Sequence, residues 1–123
     1  MDGRLLVSVV DDDESVRESL PDLLGEFGFA VETFASAEDF LASGRIAETR
    51  CLILDVAMPG MSGPDLQREL VQRQHTVPIV FITAHADPST ALRLVAQGAV
   101  ACLRKPFSDT ALREALDAAL ASP

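Results

Sequence analysis

Apolar and polar positions along the chain follow two alternating rhythms. Short, nearly unbroken apolar runs at Leu5 to Val10, Cys51 to Leu54, Ile79 to Ile82 and Val100 to Leu103 are rich in aliphatic residues and predict strands. Phe29 to Phe34 carries Glu32 and Thr33 among its apolar residues, which predicts an edge strand with one wetter face. Between the runs, apolar residues take helical spacing. Val16, Leu20, Leu23, Leu24 and Phe27 form one stripe, and Leu66, Leu70 and Val71 a second. Leu92, Val95, Ala96 and Ala99 form a third, and Leu112, Leu116 and Leu120 a fourth.

Boundary residues agree with these rhythms. Ser36 followed by Asp39 resembles a capping box, Asp87-Pro88 supplies an N-cap and an N1 proline, and Ser108 or Asp109 can cap the last helix. Gly28 and Gly98 are plausible C-terminal stops. Pro21 falls inside the first helix and removes a backbone donor, so a kink rather than a break is expected there. Strand alternating with helix five times predicts an α/β fold, a doubly wound sandwich with a parallel five-stranded sheet and helices on both faces. No repeat, linker or low-complexity tract interrupts it, and residues 1–123 read as a single domain.

Composition narrows the function. The chain is 48% hydrophobic and 24% charged, the balance of a globular protein. A formal charge of -9 argues against direct nucleic-acid binding, which needs clustered Lys and Arg. Met1-Asp2-Gly3-Arg4 leads straight into a strand, with no signal peptide, and no apolar run approaches the roughly 20 residues that cross a bilayer. A cytoplasmic location with no membrane attachment is the expectation. Cys51 and Cys102 both lie in apolar runs and read as small hydrophobes rather than a disulfide pair.

Ligands of open parallel sheets gather at the carboxyl ends of the strands. Asp11-Asp12-Asp13-Glu14 follows the first strand, Asp55 the third, Thr83 ends the fourth, and Arg104-Lys105-Pro106 follows the fifth. Each piece alone has an ordinary explanation: an acidic run complements a helix dipole, a strand-end Asp makes a turn, and a lysine is solvated. Four of them on one rim make a site, and Lys105 is the only lysine in the chain. Two carboxylates 4 Å apart repel by about 4 kcal/mol at an effective dielectric near 20, so a shared cation is required. Asp11, Asp12 and Asp55 offer hard oxygen ligands, which selects Mg²⁺ or Mn²⁺ over zinc. A phosphoryl group approaching Asp55, the nucleophile, would then meet the cation, the Thr83 hydroxyl and the Lys105 ammonium.

These residues resemble the receiver domains of two-component response regulators. The matching stretches are Val9-Val10-Asp11-Asp12-Asp13, Leu54-Asp55-Val56-Ala57-Met58-Pro59-Gly60-Met61-Ser62-Gly63, Phe81-Ile82-Thr83-Ala84 and Lys105-Pro106-Phe107. Phe34-Ala35-Ser36-Ala37, Cys51-Leu52-Ile53-Leu54-Asp55 and Phe81-Ile82-Thr83-Ala84-His85 are similar to the nitrogen-fixation branch, which usually adds a helix-turn-helix output domain. The resemblance implies a flavodoxin-like (βα)5 sandwich with strand order 2-1-3-4-5. It implies Asp55 as phosphoacceptor, with Asp12, Asp55 and the Ala57 carbonyl as direct metal ligands and Asp11 on the metal's water shell. Thr83 and Lys105 would bind phosphoryl oxygens, and Lys105-Pro106 would be cis. The donor would be a phosphohistidine on a sensor histidine kinase or histidine phosphotransfer protein. The partner downstream would be another regulator or a missing output domain, and similar domains form phosphorylation-dependent homodimers through the fourth and fifth elements.

Three positions depart from the family pattern. Similar domains carry Tyr or Phe three residues before the lysine, as a ring that switches rotamer with the hydroxyl residue; here that position is Cys102. Coupling is therefore expected to run through the Thr83 to Pro88 loop and the helix after it. Ala57 has no side chain to steer a hydrolytic water. His85, two residues after Thr83, overhangs the site in this reading, while His75 reads as a loop residue.

Other function classes fit less well. A phosphatase of the haloacid dehalogenase type places a second Asp two residues after its nucleophile, where this chain has Ala57. A flavodoxin-like cofactor module needs a hydroxyl- and glycine-rich loop after the first strand, where Asp11 to Glu14 would repel phosphate. The complete set of site residues argues against a degenerate receiver that only binds. An ending just after the last helix, at Ala121-Ser122-Pro123, suits a stand-alone regulator and a fragment equally.

Overall fold

The apolar runs become five strands: β1 (Leu6–Val10), β2 (Ala30–Phe34), β3 (Thr49–Asp55), β4 (Ile79–Thr83) and β5 (Ala101–Arg104). They alternate with α1 (Glu14–Glu26), α2 (Ala37–Ala42), α3 (Gly63–Gln72), α4 (Pro88–Ala96) and α5 (Asp109–Ala121) in the computed structural model, which describes residues 3–85 and 87–121. The Met1-Asp2 lead-in, Ala86 of the expected coupling loop and the Ser122-Pro123 end lie outside the described residues. All strand pairs are parallel, in the order β2-β1-β3-β4-β5. This is the flavodoxin-like arrangement, with Phe29 to Phe34 supplying the expected edge strand.

Side chains alternate through the sheet into two separate cores. Val10, Leu52, Leu54, Ile79 and Phe81 pack under α2, α3 and α4 with Phe40, Leu66, Leu70 and Leu94. Val7, Val9, Cys51, Ile53, Val80 and Ile82 pack under α1 and α5 with Leu20, Leu24, Leu112 and Leu116. Burial on both faces is why the strands read as unbroken apolar runs. Helix α1 continues through Pro21; the missing donor falls opposite the Arg17 carbonyl, one turn earlier.

The apolar stripe expected on α4 is largely on the wrong face. Leu94 points into the core, whereas Leu92 is 72% exposed, Val95 44% and Ala96 is exposed as well; of that stripe only Ala99 is buried. Val71, at the end of the α3 stripe, is 66% exposed, and Leu5 precedes β1 rather than opening it.

The caps follow the sequence. Ser36, Asp87 and Ser108 accept from backbone N–H groups of Asp39, Ser89 and Ala111. At the ends of α1 and α4, Gly28 (φ 98°) and Gly98 (φ 114°) close Schellman turns in which Phe29 N–H reaches Leu24 O and Ala99 N–H reaches Leu94 O. A third such turn ends α3, with His75 N–H on Leu70 O, but its left-handed residue is Gln74 at φ 64°. A side chain in that conformation is strained, so Gln74→Gly is expected to raise the unfolding free energy by roughly 0.5–1 kcal/mol, after allowing for glycine's looser unfolded chain. Urea titration of both proteins measures it.

Candidate phosphoacceptor site

Strand register assembles the site. Val10 lies opposite Leu54, so the next residues, Asp11 and Asp55, emerge side by side at the same edge. Asp55 in turn pairs with Ile82, one residue before Thr83, and Thr83 pairs with Arg104, one residue before Lys105. The Lys105 N–H donates to the Thr83 carbonyl at 2.8 Å, and the Lys105-Pro106 bond is cis, as expected.

Asp11, Asp12 and Asp55 each present a carboxylate oxygen, all within 4.8 Å of one another. Asp11 is completely buried. Its Oδ1 accepts from the Asp13 N–H at 2.9 Å; its Oδ2 accepts no well-formed hydrogen bond and lies 2.8 Å from Lys105 Nζ. The same ammonium is 3.9 Å from Asp55 Oδ1. Arg17 reaches from α1 to donate to the Asp11 carbonyl at 2.9 Å, which fixes the backbone between the first two carboxylates.

One ammonium among three carboxylates leaves the cluster short of positive charge. Burial first, then repulsion from Asp11, pushes the Asp55 carboxyl up to about 7, and Lys105 only partly opposes this. For Lys105 itself, burial favours the neutral amine, but the close contact and charge of Asp11, with the charges of Asp55 and Asp13, outweigh it and hold its pKa above the usual value. An oxygen-only donor set with a buried, poorly satisfied Oδ2 and excess negative charge fits a hard divalent cation.

A carboxyl group whose pKa is raised by folding favours the folded state most when protonated. That contribution is complete below the unfolded value near 4 and is lost as pH rises through about 7. A shift of this size is worth about 4 kcal/mol at full weight, and solvent screening at the open rim reduces it to about 2 kcal/mol. In EDTA, the unfolding free energy is therefore expected to fall by about 2 kcal/mol between about pH 5 and about pH 8, as read by urea titrations; an increase across that window would contradict the assignment. The helix-capping carboxyls act elsewhere. Asp13, held low by the Ser15 side chain and backbone, Asp65, by the Ser62 backbone and side chain, and Asp87, by the Ser89 and Thr90 side chains, lose their contributions only at more acidic pH.

Not every residue singled out in the sequence joins this cluster. Thr83 Oγ1 donates to the His85 carbonyl at 3.0 Å and accepts from the His85 N–H at 3.1 Å, so its hydroxyl is engaged by its own loop. His85 is exposed, and its backbone, rather than its ring, makes these contacts. Ala57 lies in the exposed turn two residues beyond Asp55. Cys102 is partly buried and lines, with Thr83, Ala91 and Arg104, a cavity of about 110 Å³ between β5 and the start of α4. Burial raises its thiol pKa, and Cys51, fully inside the sheet, is pushed up to about 12. Both thiols are therefore held protonated near neutral pH.

Two contributors escaped the sequence reading. Gly63, at the start of α3, lies so close to the Asp55 carbonyl that an added Cβ would sit 2.3 Å from its oxygen. Glu38, on α2, accepts from the Met61 N–H at 3.3 Å and braces the turn after Asp55. Acidic enrichment at the start of α2 could have pointed to Glu38; a close backbone approach leaves no trace in a single sequence.

Comparison with known proteins places these features in context. A family model described as the response regulator receiver domain matches residues 7–117. Nodulation protein W of Bradyrhizobium diazoefficiens is 44% identical over 116 residues, covering 94% of this chain and 51% of that protein. Transcriptional regulatory protein FixJ of Azorhizobium caulinodans is 41% identical over 120 residues, covering 98% of this chain and 57% of that protein. The chain thus spans about half the length of the curated relatives it matches. Among solved structures, response regulator StyR superposes with a TM-score of 0.85 at 49% identity, covering 94% of this chain and 58% of that one. The crystal structure of FixJ-N gives 0.83 at 40% identity, with 98% and 95% covered.

Proposed function

This chain belongs to the response regulator receiver domain family, and from that premise we propose that Asp55 accepts a phosphoryl group from a phosphohistidine. The observation that carries the reading is the Asp55 carboxylate at the carboxyl edge of the sheet, between buried Asp11 and the ammonium of Lys105. An Asp55 oxygen forms the new bond to phosphorus as the phosphorus–nitrogen bond of the donor breaks; the imidazole leaves with the bonding pair and takes up a proton. Lys105 supplies positive charge to a phosphoryl oxygen, and the Thr83 hydroxyl supplies another donor once it releases the His85 carbonyl.

Asp11, Asp12, Asp55 and the Ala57 carbonyl would hold Mg²⁺, or Mn²⁺ as a second hard cation. Bound there, the cation shields the carboxylates from one another and draws charge from a phosphoryl oxygen. The domain itself thereby assists its own phosphorylation and dephosphorylation, rather than turning over an external substrate. Residues 1–123 act as one such domain, in the cytoplasm, where none of the described helices is long and apolar enough to cross a membrane. Its partners are a sensor histidine kinase or histidine phosphotransfer protein, and a downstream regulator or output domain; phosphorylation favours a homodimer. Thr83 and Cys102, which share one cavity, form the switch position.

The test is incubation with a small acyl-phosphate donor and Mg²⁺, followed by intact-mass measurement. One phosphoryl group is expected to be gained, and chelation with EDTA is expected to slow the gain by at least about tenfold. No gain with Mg²⁺ present would overturn the proposal.

A further inference from the structure

Asp11, Asp12 and Asp13 join β1 to α1 and belong to neither element, yet Asp11 and Asp12 supply two carboxylates of the cluster. This short link is pinned at both ends. The Asp11 N–H donates to the Phe34 carbonyl of β2 at 3.1 Å. The Asp13 carbonyl accepts from the Val16 and Arg17 N–H groups, each at 3.2 Å, and the Asp13 side chain caps α1 by accepting from the Ser15 N–H. Between these anchors lies the Asp11–Asp12 peptide. A peptide is a rigid plane, so its tilt sets together the torsions on either side of it. Those torsions decide where the Asp12 carboxylate points relative to that of Asp11.

Arg17 holds this plane. From a half-buried position on α1, its Nη1 donates to the Asp11 carbonyl at 2.9 Å. The choice of partner is informative. Four carboxylates, those of Asp11, Asp12, Asp13 and Glu14, lie within six residues of Arg17 along the chain, but its one side-chain hydrogen bond among the described residues goes to a neutral carbonyl. A cation recruited to offset negative charge pairs with a carboxylate, as Lys105 does with Asp11 at 2.8 Å. At a site for a divalent ion, the charge of Arg17 is itself a disadvantage, because it repels the ion. What Arg17 contributes is geometry.

We propose that Arg17 is a positioning residue for the cation, resting on the reading of Asp11, Asp12 and Asp55 as holders of a hard divalent ion. By fixing the Asp11–Asp12 peptide, it keeps two carboxylates aimed at one point. Mg²⁺ tolerates little departure from its preferred ligand geometry, so its affinity responds steeply to ligand direction.

The charge of Arg17 and its hydrogen bond act in opposite directions, which separates them in experiment. Loss of the charge alone tightens Mg²⁺ binding, whereas loss of the peptide anchor weakens it. Mg²⁺ is titrated into the ¹⁵N-labelled full chain and followed by amide spectra. Arg17→Gln is expected to weaken binding by at least about tenfold, the scale on which partners that orient metal ligands act. Arg17→Lys keeps the charge and a donor on a long stem, and is expected to bind within about threefold of the parent. Glutamine and lysine are both good helix formers, and urea titration checks that α1 and the fold persist in each variant. Once Mg²⁺ saturates each protein, phosphoryl uptake by intact mass is expected within about threefold of the parent, since the loss lies in affinity and not in the chemical step. Equal or tighter binding in Arg17→Gln, a lysine variant as weak as the glutamine one, or uptake that stays slow at saturating Mg²⁺ would each overturn the assignment. A parent that binds no Mg²⁺ would instead sink the reading of the site itself, and the positioning role with it.

Discussion

The Asp55→Asn variant is expected to gain no phosphoryl group from an acyl-phosphate donor, and in EDTA at about pH 8 to be more stable than the parent by about 2 kcal/mol. Both effects come from one atom. The amide oxygen that replaces Asp55 Oδ1 is uncharged and a poor nucleophile, so no new bond to phosphorus forms. The same neutrality removes a carboxylate that folding buries to 6% exposure, beside Asp11, and whose pKa is raised to about 7. Lys105 keeps its closer partner, Asp11 at 2.8 Å, and loses only the longer contact of 3.9 Å. Intact-mass measurement and urea titration of the two proteins read the outcomes separately. A phosphoryl gain surviving the substitution would move the acceptor to another carboxylate, and an unfolded variant would mean that Asp55 supports the fold rather than straining it.

Much of this site was legible in the chain because parallel sheets put their chemistry at strand ends. Once Leu5 to Val10, Cys51 to Leu54, Ile79 to Ile82 and Val100 to Leu103 read as strands, the residues after them had to share an edge. The register of Val10 with Leu54 and of Thr83 with Arg104 realises that sharing. What the sequence hid were orientations that depend on tertiary packing. On α4, Leu92 and Leu94 are two residues apart and so lie on nearly opposite sides of the helix. Periodicity identifies an apolar arc but not which arc meets the sheet, and the core took Leu94. Gln74 gave no sign of its left-handed conformation, because that turn is imposed by the end of α3 rather than by glutamine. The bond of the Thr83 hydroxyl to the His85 carbonyl is a local contact that spacing cannot reveal, and the expected role of that hydroxyl toward a phosphoryl oxygen is a separate matter.

Gly63 shows how closely the fold and the chemistry are joined, and Gly63→Ala is expected to destabilise the protein by about 3 kcal/mol or more. The added Cβ would lie 2.3 Å from the Asp55 carbonyl oxygen, 2.9 Å from Phe81 Cε1 and 3.1 Å from Val56 Cα. Phe81 is fully buried in the core, and the other two atoms are backbone, so none can move aside cheaply. Relief requires α3 to withdraw from the end of β3, breaking the Gly63 N–H bond to the Val56 carbonyl at 3.0 Å and disturbing the Ser62–Asp65 capping box. A domain whose whole stability is about 5–15 kcal/mol would remain folded only narrowly. Urea titration measures the loss, and phosphoryl uptake under conditions that keep the variant folded measures its second effect. Because the displaced segment follows Asp55 directly, uptake is expected to slow by at least about tenfold, since small misplacements of reacting groups carry large rate penalties. A stable Gly63→Ala protein with normal uptake would show that α3 and β3 can separate without disturbing the acceptor, and that the close contact at Gly63 does not position Asp55.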